Sequence, residues 1–184
     1  MLMEDLFSKG IMTMGPSRFD PNRRVSVFAP RVAESLATIR ASALEGFRWI
    51  AGKWTYENAV PGTRLSPAYV DVGTIEFSLF DKDGWISSVS NDGVRHPWVT
   101  FDPFSQRWIY VLTRGSFGVL RSEEGWVGNR IAFEGLMTML GIDCVWRMTW
   151  TREGERSFRF VNEERSADGS WAYIDEWRFT QTGG

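Results

Sequence analysis

The stretch Cys144-Val145-Trp146-Arg147-Met148-Thr149-Trp150-Thr151-Arg152 alternates bulky apolar with polar side chains. That is the period-two pattern of a strand with one face buried. After Glu153-Gly154, residues 157–165 repeat it with Phe158, Phe160, Asn162 and Glu164 on one face. After Asp168-Gly169, residues 171–180 place Trp171, Tyr173, Asp175 and Trp177 on one face. Three alternating segments joined by Gly-containing turns read as consecutive antiparallel hairpins.

Upstream, Thr74 to Phe80 alternates through Ile75, Phe77 and Leu79 and leads into Asp81-Lys82-Asp83-Gly84. Trp85 to Ser90 leads to Asn91-Asp92-Gly93; Trp98 to Phe101 and Trp108 to Thr113 flank Asp102-Pro103. Phe117 to Arg121 precedes Glu124-Gly125 and then Trp126 to Glu134. With Trp54 to Ala59 as the first, about ten strands follow one another through hairpin-length connections. Such a meander loses its exposed edges by closing on itself, which favours an all-β, up-and-down antiparallel barrel. A β-sandwich is the alternative, although it calls for longer crossovers. The Met-rich run Gly135-Leu136-Met137-Thr138-Met139-Leu140-Gly141 reads either as a rim segment over an opening or as a hydrophobic strand end.

Before the strands the pattern differs. Residues 1–29 are loosely patterned and read as an N-terminal arm, with residues 30–184 forming a helix plus barrel. Val32, Leu36, Ile39 and Ala43 mark one face of a helix that starts at Pro30 and stops near Gly46. That apolar stripe needs a partner, either the barrel wall or the barrel mouth. Arg18, Arg23 and Arg24 surround Asp20 and read as a solvated tail rather than a phosphate patch.

The whole chain is 184 residues with a formal charge of −2, which offers no electrostatic attraction to nucleic acid. One Cys and one His exclude a disulfide framework and a Cys/His zinc site within the chain. Acids occupy the N-terminus and no apolar run reaches spanning length, so the expectation is a cytoplasmic protein without a membrane segment. Gly115 and Gly118 lack the Gly-Lys-Ser/Thr of a phosphate loop and read as a strand bend. Cys144 reads as a small buried residue.

Gly52-Lys53-Trp54, after a helical segment and at the first strand, resembles the Gly-x-Trp signature of lipocalin-like barrels. That resemblance implies that Gly52 and Trp54 close one barrel end and that an Arg from the last strand, here Arg178, packs over the indole. The phrases Asp102-Pro103-Phe104-Ser105, Arg114-Gly115-Ser116-Phe117-Gly118-Val119-Leu120 and Asn162-Glu163-Glu164-Arg165 are similar to those of uncharacterised bacterial lipocalin-like (calycin-type) proteins, over about three-quarters of the chain. A more distant resemblance is to nitrobindins, haem-binding barrels whose axial His lies near the C-terminus. No His lies there in this chain, so haem does not carry over by position.

The 27 aromatic residues, 10 of them Trp, suit a cavity for a small apolar or aromatic molecule. The candidate lining is Trp146, Met148, Trp150, Phe160, Asn162, Tyr173 and Arg147. Inward carboxylates need partners, and Arg is the available one, since 18 of the 21 basic residues are Arg. The loop at Glu153-Gly154 fits more than one length, so the register stays open, and with it which polar groups turn inward. Glu164, Asp175 and His96 are the candidate proton carriers if the barrel is instead a cyclase, isomerase or lyase. His96 is also the only imidazole available to haem. A homodimer joined through the arm or the Met-rich run is a further possibility.

Overall fold

The computed structural model describes residues 3–64, 66–79, 84–90, 93–113 and 115–182. The turns expected at Asp81-Lys82-Asp83 and Asn91-Asp92, and Arg114 before Gly115, lie outside the described residues.

The arm carries structure that its loose patterning hid. A short helix α1 (Met3–Ser8) precedes a hairpin of β1 (Met12–Pro16) and β2 (Arg24–Phe28). Ala29 N–H donates to the Ile11 carbonyl at 3.0 Å, and the Phe28 ring sits 5.3 Å from that of Phe104.

Ten strands then close into an antiparallel barrel: β3 (Gly52–Val60), β4 (Tyr69–Ser78), β5 (Trp85–Ser90), β6 (Arg95–Asp102), β7 (Arg107–Leu112), β8 (Ser116–Ser122), β10 (Arg130–Met139), β11 (Ile142–Arg152), β12 (Ser157–Arg165) and β13 (Trp171–Gln181). A two-residue strand β9 (Trp126–Val127) folds back on the start of β10. Each of the ten pairs with the next, β8 passing over β9 to pair with β10, and β13 returns to β3 through Phe179 opposite Tyr56. The alternation that identified the strands is the alternation between barrel interior and solvent. The Met-rich run is a strand end: β10 continues to Met139 and reverses at Leu140-Gly141, both with positive φ, into β11.

Helix α2 (Pro30–Leu44) runs into a 3-10 segment, Glu45–Ile50, that enters one end of the barrel. Phe47 and Ile50 are fully buried there. Phe47 lies 4.7 Å from Trp108, 5.0 Å from Trp126 and 5.7 Å from Trp150, mostly edge to face. The helix therefore leads into the closed end and does not lie over the open one. Its inward face also differs from the expected stripe. Counting back from buried Leu44 in steps of four gives Arg40, Leu36 and Val32, so Ile39 turns outward and is 38% exposed. Arg40 instead donates from Nε to the Phe101 carbonyl at 3.0 Å.

Trp54 is fully buried and its Nε1 donates to the Ile50 carbonyl at 2.7 Å, tying the first strand to the plug. Gly52 adopts φ +121°, a conformation that L side chains rarely take, as the chain swings from the plug into β3. The expected arginine does not cover Trp54. Arg178 alternates with inward Phe179, so it points outward and binds Glu176 at 2.6 Å. Trp49 and Phe158 meet the Trp54 indole instead, at 6.4 and 4.7 Å.

Candidate functional site

Toward the plug the interior is packed with aromatic rings. Trp150 stacks on Phe160 at 4.3 Å, and Phe158 on Phe179 at 4.3 Å. Above them lies a cavity of about 520 Å³, walled by the ends of the strands farthest from the plug. Its volume is within the range of small-molecule sites. Aromatic rings from Tyr56, Trp98, Tyr110, Trp146, Phe160 and Trp177 line the cavity, together with Met137, Met139 and Met148.

The hairpin registers explain which side chains arrive there. Trp146 pairs with Glu164, Met148 with Asn162 and Trp150 with Phe160, so directly opposed residues share the interior face. Between β12 and β13 the register shifts after Asn162: Asn162 opposes Asp175, whereas Glu163 opposes Tyr173. Ile174 is the extra residue of this bulge. It lines the cavity together with Asp175, while Tyr173 turns out and is half exposed.

Of the residues expected to line the site, Trp146, Met148, Phe160 and Asn162 do so, as do Asp175 and His96. Trp150 is inward but fully buried in the packed core beneath the cavity. Arg147 alternates with Trp146 and Met148 and so lies outside, where Nε binds Glu163 at 2.7 Å and the guanidinium stacks 4.2 Å from the Trp171 ring. It borders a charged outer groove of about 560 Å³ with Arg121, Arg130 and Glu134. Glu164 is half-buried opposite Trp146 but does not line the cavity. Tyr110, Trp98, Trp177 and Ser88 line it without having been singled out. The alternation Trp54, Tyr56, Asn58 already pointed an unusual Asn inward from β3.

The polar part of the wall is a connected set. Asn162 Nδ2 donates to Asp175 Oδ1 at 2.6 Å, and Asn162 Oδ1 accepts from Trp146 Nε1 at 3.1 Å. Asn58 and Trp177 also donate to Asp175. Burial nevertheless holds the Asp175 carboxyl above its ordinary range, because the three donors offset only part of the lost hydration. Arginine is not its partner: Arg147 and Arg159 pair with Glu163 and Glu176 on the outer face. Across the barrel, Ser88 opposes His96 in the β5–β6 ladder. Ser88 Oγ and His96 Nε2 are buried without a hydrogen-bond partner. Burial likewise pushes the Tyr110 hydroxyl far up, so it stays protonated.

Cys144 is half-buried, and its thiol donates to the Met137 carbonyl at 3.6 Å. Burial, with Glu164 and Asp143 nearby, raises it and disfavours the thiolate. Among the described residues no group of three or more His, Cys, Asp and Glu could hold a metal, and no helix is long and apolar enough to cross a membrane.

No family model and no curated protein matches the chain. Among solved structures, the crystal structure of Rv2717c from M. tuberculosis is similar over 77% of this chain and 98% of that one, at 11% identity and a TM-score of 0.44. The structure of a redesigned beta barrel, b11L5F_LGL, is similar over 73% of this chain and 93% of that one, at 11% identity and a TM-score of 0.30.

Proposed function

We propose that this protein is a lipocalin-like binding barrel that holds a small, largely apolar or aromatic molecule in the cavity above the aromatic core. The observation that carries this reading is a cavity of about 520 Å³ whose wall is aromatic and thioether-rich, yet keeps unpartnered polar atoms at Ser88 and His96. Buried polar atoms without partners are costly, and a ligand that supplies them removes that cost. Titration with a fluorescent polycyclic probe tests the proposal. Saturable binding with one site per chain, displaced by non-fluorescent aromatics, is the expected result; absence of saturation overturns it. A Soret band on adding haem would identify a haem-binding barrel instead.

A second reading, proton-transfer catalysis in the same cavity, rests on Asp175. Its raised carboxyl is better suited to give and take a proton near neutral pH than an ordinary Asp. Mass spectrometry of small molecules carried through purification separates the two, since a binding protein returns the loaded compound unchanged.

A further inference from the structure

The charge of the cavity wall carries the binding reading further, to a class of ligand, and the inference rests on that reading. Among the described residues that line the cavity, Asp175 is the only carboxylate and none is Lys or Arg. Arg147, Arg159 and Arg178 point to the outer face, where they have glutamate partners, and Arg152 lies at the plug end with its guanidinium 5.3 Å from the Trp49 ring. Asp175 is held by neutral donors alone, from Asn162, Asn58 and Trp177, with no basic side chain contributing. A carboxylate has about four acceptor positions, so three donors leave one open.

An ionised carboxylate in an apolar chamber without a counter-charge is unfavourable, and a cation brought by the ligand neutralises it. The surrounding rings work in the same direction. The lining rings of Trp98, Trp146, Trp177 and Tyr56 carry an aromatic quadrupole whose negative faces attract cations and repel anions. A fatty-acid carboxylate would find no Lys or Arg among the described lining residues and would face Asp175. We propose that the cavity selects a protonated amine carried on a largely apolar or aromatic body, with Asp175 as the residue that receives the ammonium group. Asn162 and Asn58 act as positioning residues that fix the carboxylate.

A matched series of naphthylethylamine, naphthylethanol and naphthylacetate tests this at neutral pH, followed by tryptophan quenching and calorimetry. The amine is expected to bind on the order of tenfold tighter than the alcohol, with the acid weakest. In Asp175→Asn the difference between amine and alcohol is expected to disappear. Equal affinities for the three probes, a preference for the acid, or an amine preference that survives in Asp175→Asn each overturns the proposal. If the polycyclic probe still saturates in those cases, the barrel remains a binding protein and only its charge selectivity is refuted. If neither that probe nor any of the three binds, both readings fall. Should Asp175→Asn not fold, the order of the three affinities in the unaltered protein decides the matter.

Discussion

Asn162 joins Trp146 to Asp175: its carbonyl oxygen accepts from the indole at 3.1 Å and its amide donates to the carboxyl at 2.6 Å. Both hydrogen-bonding ends of one 5%-exposed side chain are thus used at the cavity wall. Replacing Asn162 with Ala strands the Trp146 donor and takes one of three donors from Asp175. We expect a loss of about 2–3 kcal/mol in urea unfolding, against about 1 kcal/mol for Trp146→Phe, which removes only the first link. Equal losses for the two variants would show that the amide does not bridge them.

Asp175 also imposes a direction on the pH dependence of stability. Its folded carboxyl titrates above its unfolded value, so the folded state holds the extra proton between the two. Stability from this group therefore falls as pH rises from the ordinary Asp range through the raised folded value. Above that value the penalty is complete. The stability difference between Asp175→Asn and the unaltered protein should change in the variant's favour over this window. An unchanged difference from acid to neutral pH would contradict the assignment.

The plug gives a contrast between two aromatic-contacting hypotheses. Phe47→Ala should cost about 3–5 kcal/mol, because the ring is fully buried among Trp108, Trp126 and Trp150 and its removal opens a cavity. Arg178→Ala should leave the unfolding midpoint unchanged, since the guanidinium lies on the outer face. If Arg178→Ala destabilised the fold as strongly as Phe47→Ala, the outward placement of Arg178 would be wrong.

Cys144 should react with iodoacetamide well below the rate of free cysteine at neutral pH. Its thiol is half-buried, bonded to the Met137 carbonyl and raised by burial and nearby acids. In denaturant the rate should recover. Mass spectrometry of the alkylated chain measures both, and rapid native modification would count against the described environment.

Strand order was legible in the sequence because Gly-containing turns and period-two alternation mark where each strand ends. What escaped is what depends on a single residue of register. The bulge at Ile174 exchanges Tyr173 for Ile174 inside the cavity, and nothing in residues 171–180 marks the extra residue. Arg178 suited the closing position by chemistry, yet its neighbour Phe179 occupies the interior, and adjacent strand residues cannot share a face. Ile39 was hydrophobic and in step with its helix, but Leu44 and the plug set the rotation of α2, which put Arg40 in its place. The cavity itself could not be read, because its wall is made by side chains from strands far apart in the chain.

The plug of Phe47, Ile50 and Trp54 makes the chamber a blind vessel, filled from the mouth only. Under the proposed binding function, an incoming molecule has no way to push a resident one out from behind. Exchange must be dissociative, with the occupant leaving before its successor enters, so its residence time should not shorten as competitor concentration rises.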